Sequence, residues 1–193
     1  RAGGTLGGVS DGYALLRGLG HSRTALHPAL TQITPDSPYP KALKGVRAGA
    51  TVTLERDGTI LGRNRGEVQF TEKGISGIEV FELSRLVSVG GKCRAVLDFL
   101  PELSEKELAG VLVRQAVLRG TLPGEELLTG MLHNKLGRIL CRAAGIAGKT
   151  CGDLTVAELD GLAALCKGFS LTAVGTGDFD SAQVTAGGIR TSE

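Results

Sequence analysis

Hydrophobic positions change period along this 193-residue chain, and each change predicts a different element. After a glycine-rich start, Ser10 and Asp11 stand where a helix N-terminus belongs. Tyr13, Leu15, Leu16 and Leu19 follow at spacings that line one side of a short helix, with Gly20 as its stop. From Arg23 to Ile33 the pattern "RTALHPALTQI" is extended and interrupted by Pro28; "TPDSPYPK" then sets Pro35, Pro38 and Pro40 within six residues, a first boundary. Between Ala42 and Gly74 alternation takes over. "ATVTLE" and "TILGRNRGEVQF" flank Asp57-Gly58, the dipeptide suited to a type I′ hairpin, so a small antiparallel sheet or barrel is predicted. "GISGIEVFELSRLVSVG" reads as a helix beginning near Ser76, although its Ile, Val and Phe suit a strand equally well, and "KCRAVLDFL" reads as a returning strand.

Beyond Pro101 the period becomes 3.6. Ser104 and Glu107 form a capping box ahead of Leu108, Val111 and Leu112. Leu128, Met131, Leu132, Leu136, Ile139, Leu140 and Ala143 make one stripe ended by Gly145. Thr155 and Glu158 cap a last helix with Val156, Leu159, Leu162, Ala163 and Cys166 inward. Residues 101–168 therefore read as a helical subdomain, its outside carrying eight acidic and eight basic side chains. Strand pattern returns in "FSLTAVGTG" and "AQVTAGGI". The fold class is α+β: a small antiparallel β-barrel subdomain plus a helical-bundle subdomain. The order flank, sheet, helices, strand, flank is that of an insertion into a larger domain.

Composition sharpens this in two respects. Thirty glycines are roughly twice ordinary usage, which implies many positions of positive φ or close backbone approach. A net charge of +2 gives no whole-molecule field for nucleic acid or an anionic membrane, so partner choice rests on local sites. Cys93, Cys141, Cys151 and Cys166 include no CxxC pair, and only His21, His27 and His133 could assist them; structural thiols in a reducing cytoplasm are expected, and no membrane-spanning run occurs.

Four motifs carry candidate chemistry. "GIAGKT" (145–150) ends like a phosphate-binding loop, but Ala143 stands where its first glycine belongs and a helix precedes it, so a helix C-cap is expected. His133 sits one position off the Leu132/Leu136 stripe with no second ligand at i+4. Arg56, Arg63 and Arg65 surround the hairpin, and residues 41–73 hold seven basic against four acidic side chains, the patch a nucleic-acid-binding barrel would use; only Phe70 and Tyr39 are aromatic nearby. "AGGTLGGVSDG" and "VTAGGI" allow the backbone to approach a flat or anionic ligand at the two ends of the chain.

Taken together, "GG" (Gly3-Gly4), "SDGYALLRGLGH" (10–21), "HPALTQI" (27–33), "FTEKGISGIEV" (70–80) and "AQVTAGGI" (182–189) resemble the aminoacetone-oxidase-type, BaiN/YhiN-like, FAD-dependent flavoprotein family. Its members carry a Gly-Gly segment leading into "GDGY…LGH…PALV", then "FTHxGISGP" and finally "AQVTAGGV". This chain has "TLGGVS" in place of the Ser-Tyr-Pro and Thr-Gly of the family, Glu72 for the histidine and Ile78 for the proline. The resemblance implies a division into 1–26 and 179–193 as flanks of an FAD-binding domain, 27–100 as a barrel subdomain, 101–168 as a helical subdomain and 169–178 as a strand returning to the barrel. It further implies that the rest of the flavin site lies on missing segments of the same polypeptide. The parent would be an FAD-dependent oxidoreductase with NAD(P)H as electron donor and a small-molecule substrate, and this region would cover the flavin without being competent alone. Gly3, Gly4, Asp11, Thr185, Ala186, Gly187 and Gly188 are the implied flavin-proximal residues, acting by backbone contact; no residue is assigned to catalysis and none to metal. The alternatives are a nucleic-acid-binding barrel module and a protein-interaction domain.

Overall fold

The computed structural model describes residues 2–192. A 3₁₀ turn at Gly4–Leu6 precedes α1 (Asp11–Gly18), β1 (His27–Ala29) and β2 (Ile33–Pro35). There follow α2 (Tyr39–Ala42), β3 (Arg47–Arg56), β4 (Thr59–Phe70), β5 (Ile75–Ser76), α3 (Ile78–Gly90) and β6 (Cys93–Asp98). The helical region holds α4 (Glu105–Leu118), α5 (Asn134–Ala143) and α6 (Val156–Lys167), and β7 (Phe169–Thr176) and β8 (Val184–Ala186) end the order.

Strands close in the order β2-β5-β4-β3-β6-β7, every pairing antiparallel, with β7 returning to β2. The hairpin is the expected one: Asp57 (φ 49°) and Gly58 (φ 77°) both take positive φ, as a type I′ turn requires. Alternation then turns Val52, Leu54, Val68, Phe70, Ala95, Leu97, Phe169 and Leu171 into the barrel, all of them buried. Each of these side chains other than that of Ala95 contributes about 1.5–3 kcal/mol on leaving water. Phe99 lies 6.4 Å from Phe70 and 5.9 Å from Phe169, and Tyr39 meets Phe169 edge-on at 5.1 Å, so the aromatics tie the barrel to the segment that leaves it. The two aromatics beside the basic hairpin, Phe70 and Tyr39, are spent in this core.

Both capping boxes form, at Ser104/Glu107 and Thr155/Glu158. Lys149 and the Thr155 hydroxyl and amide hold the Glu158 carboxyl at about 2, below its ordinary 4.5. A carboxyl lowered on folding contributes stability that is complete above its unfolded value and is lost as pH falls through the folded one. We therefore expect the melting temperature to drop as pH falls from about 4.5 toward about 2, and the Glu158→Gln variant to show a shallower drop across that window in a melting series.

Four local expectations are corrected. The 76–90 helix begins at Ile78, because Ser76 is taken by β5 and Gly77, at φ 118°, redirects the chain. The continuous stripe from Leu128 breaks: Leu128–Leu132 form turns with Gly130 at φ 88°, and α5 starts only at Asn134. His133 is consequently the N-cap, its Nδ1 accepting from the Lys135 amide at 3.2 Å. Val156, placed inward by its spacing, is instead the first residue of α6 and is 64% exposed. In α1, Ser10 precedes the helix without a side-chain cap; Leu15 and Leu19 are exposed while Tyr13 and Leu16 are half-buried.

Candidate functional site

The two ends of the chain meet on one side of the barrel. β1 pairs with β8 in a separate two-stranded sheet, His27 opposite Ala186 and Ala29 opposite Val184. Pro28 lies within β1, opposite Thr185, and an edge strand is where proline's missing donor is tolerated. Further bonds join residues far apart in sequence: the Gly3 amide donates to the Ala182 carbonyl at 3.0 Å, and the Ala2 amide to Thr185 Oγ1 at 3.1 Å. Leu30, at φ 51°, turns the chain from this sheet into the barrel, and the adjoining Thr31 amide donates to the buried Ser84 hydroxyl.

The predicted glycines differ in what surrounds them. Gly187 has φ 86°, and a Cβ there would strike the Ala25 carbonyl; a Cβ at Gly4 would strike the Asp180 carboxylate. Gly187 is explained by the chain's own backbone, whereas at Gly4 the neighbour is a side chain that can swing aside. Gly188 has no such neighbour: its φ is ordinary and nothing lies within 4 Å of the place a Cβ would take. Its amide donates to Thr24 Oγ1 at 3.0 Å and its carbonyl accepts from the Thr24 amide at 2.9 Å, so the backbone is fixed while one side stays open. Because the Gly3 and Gly188 amides are already bonded, this surface fits a flat ring laid against backbone better than a phosphate seeking N–H donors.

Beside these glycines lie two clefts that share Phe179. One, of about 520 Å³, is lined by Gly4, Asp11, Asp178 and Asp180 among others and by no basic residue. The Ser181 hydroxyl and amide hold Asp178 below the usual carboxylate range. The other, of about 690 Å³, is lined by Tyr13, Arg17, His21 and Arg23 and by no acidic residue. The division follows from α1: Tyr13 and Arg17 are four residues apart and share a face, while Asp11 points away from it. The structure thus places Gly3, Gly4 and Asp11 on one strip and Thr185 to Gly188 on the adjoining one. Sequence reasoning missed Tyr13, Arg17, Arg23 and the 178–180 loop; the i, i+4 spacing of Tyr13 and Arg17 was the available signal.

The remaining candidates have structural work. Arg56 donates to the carbonyls of Leu86, Gly91 and Lys92, Arg65 pairs with Glu102, and Arg63 Nε donates to Thr53 Oγ1 at 3.0 Å. The basic hairpin is therefore largely self-satisfied. All four cysteines are free and buried, and desolvation pushes the Cys141 and Cys166 thiols up to about 12, which makes them inert. Ala144 is the C-cap of α5 and Gly145 follows it at φ 77°, the helix C-cap and turn expected of "GIAGKT". Among the described residues no His, Cys, Asp or Glu group is placed to hold a metal ion, and no helix is long and apolar enough to cross a membrane.

Residues 27–184 match the family model described as the HI0933-like protein barrel and H2TH domain. The chain is also similar to the 3-dehydro-bile acid delta(4,6)-reductase of Clostridium scindens, 36% identical over 195 residues, covering 98% of this chain and 47% of the relative. It spans about half the length of that curated relative. The match runs from β1 to the first residue of β8 and so includes the whole closed barrel and the helices between. On this agreement of sequence and architecture, the chain belongs to the HI0933-like family, of which it carries the barrel and H2TH domain.

Proposed function

We propose that this chain is the insertion region of an FAD-dependent oxidoreductase that takes electrons from NAD(P)H and passes them to a small organic substrate. The barrel and helices cover the flavin, and the flanks, 1–26 and 179–193, are pieces of the flavin-binding domain itself. One observation carries the reading: segments from opposite ends of the chain join into a single backbone-lined surface that ends at Gly188, whose open side has no occupant from the chain's own described residues. The related bile acid reductase, by its name, reduces an organic molecule, which supports the reaction class.

Bound FAD would supply the electron-transfer chemistry. This chain's part is positional: Gly3, Gly4 and Thr185 to Gly188 admit a ring to van der Waals distance, Thr24 holds Gly188 in place, and the barrel side of the flank sheet keeps water away. The phosphates would be held on the missing segments, because the Gly3 and Gly188 amides are already bonded. Flavin content tests this. A polypeptide that carries the neighbouring sequence should purify with FAD, while the chain alone should bind FAD no better than an unrelated control protein; submicromolar binding by the chain alone would overturn the proposal.

A further inference from the structure

The basic cleft next to Gly188 has the composition of a recognition site. Arg17 and Arg23 are exposed, and among the described residues neither stands in an ion pair. Several other surface cations are paired: Lys44 with Glu72, Arg94 with Glu55, Arg138 with Glu126, Arg142 with Glu125 and Lys167 with Asp98. The Arg23 guanidinium lies 5.8 Å from the centroid of Tyr13, a cation–π distance that orients it without neutralising it. Tyr13, Leu26, Phe179 and Ile189 provide an apolar wall, and the cleft's volume of about 690 Å³ falls in the range of sites for small organic molecules. Three aspartates line the neighbouring cleft on the far side of Phe179, so an anion is drawn to one side and rejected from the other.

We infer that this cleft binds an organic anion: a carboxylate or phosphate engages Arg17 and Arg23, and a flat apolar body lies along Tyr13 and Phe179. Guanidinium forks suit both oxyanions, since each offers two oxygens in one plane. The cleft adjoins the flavin-facing strip directly, because Ile189 follows Gly188 and Thr24, which lines the cleft, bonds its backbone. A ligand anchored by its anionic end would thus present its body toward Gly188. The inference rests on the proposed function only in taking this ligand for the substrate; the binding itself needs no flavin.

The test uses the 193-residue chain and three probes with one body: 2-naphthoate, 2-naphthyl phosphate and the neutral 2-naphthamide, titrated by calorimetry. At least one anion should bind tenfold or more tightly than the amide, and which one does so identifies the carboxylate or the phosphate as the recognised group. Arg17→Gln and Arg23→Gln should each weaken that anion about tenfold, with melting temperatures unchanged, since both side chains are exposed. Arg94→Gln, on the barrel, should bind as the unmodified chain does. Equal affinity for amide and anions, absence of binding by all three, or full affinity in both arginine variants would overturn the inference. None of these results touches FAD content, so its failure is separable from that of the flavin assignment.

Discussion

Gly74→Ala should destabilise the barrel strongly. A Cβ at Gly74 would collide with the Ile33 carbonyl and come within 3.2 Å of Thr34 Cα, both of them backbone atoms. Neither can yield, because Ile33 is paired on both sides, with Ile75 in β5 and Thr176 in β7, at the point where the barrel closes. The turn is fixed as well: the Thr71 amide donates to the Gly74 carbonyl at 2.8 Å, and the Gly74 amide to Thr71 Oγ1 at 3.0 Å. Forcing such a contact apart costs about 3 kcal/mol or more, which lowers the melting temperature by roughly 6–12 °C in a chain of this size. Gly161→Ala is the opposite case, since α6 leaves its Cβ position open; it should raise stability by about 0.5–1 kcal/mol. Calorimetric melts of the two variants decide the matter, and a Gly74→Ala protein that melts with the parent would contradict the closure described.

Lys167→Met should loosen the join between the helical region and the barrel. The ammonium, on the last turn of α6, pairs with Asp98 at 2.7 Å and donates to the carbonyls of Leu100 at 2.8 Å and Leu103 at 2.5 Å, so all three of its protons are used. Asp98 ends β6, and residues 100–103 lead into α4, so one side chain fastens the exit from the barrel to the last helix. Both charges are largely shielded, with side-chain exposures of 16% and 23%. Methionine keeps the aliphatic stem but strands the carboxylate and two carbonyls, at a cost of about 2–4 kcal/mol. Adding Asp98→Leu removes the stranded charge and should recover part of the loss. A denaturant-unfolding cycle measures this coupling, and simple additivity of the two changes would show that the pair is not the fastening.

How far the sequence discloses this fold depends on how local each feature is. The type I′ hairpin and both capping boxes are written within a few residues, at Asp57-Gly58, Ser104/Glu107 and Thr155/Glu158, and each forms as expected. The alternation in β3 and β4 is equally plain. Barrel closure through β2 and β7 is not, because Ile33 meets Thr176 only after the entire helical region has intervened. The stripe from Leu128 to Ala143 misleads for a related reason: Leu128 is buried at apolar spacing, but Gly130 at positive φ breaks the helix that the spacing suggests. Of the candidate site, the glycines of both ends were visible as motifs, while their different roles were not. Only the structure distinguishes Gly187, which must make room for Ala25, from Gly188, which faces nothing. The charge division around Phe179 was likewise hidden, since it needs the 178–180 loop brought beside α1.

That difference at Gly188 gives the most direct test of the proposed role. Gly188→Ala adds one methyl on the open side of a backbone held by Thr24, so the isolated chain should fold and melt as the parent does, within about 0.5 kcal/mol. In a polypeptide that also carries the neighbouring sequence, the proposal puts the flavin ring where that methyl would stand. FAD per protein, read from flavin absorbance after purification, should fall by tenfold or more. Flavin content equal to that of the unsubstituted polypeptide would contradict the account.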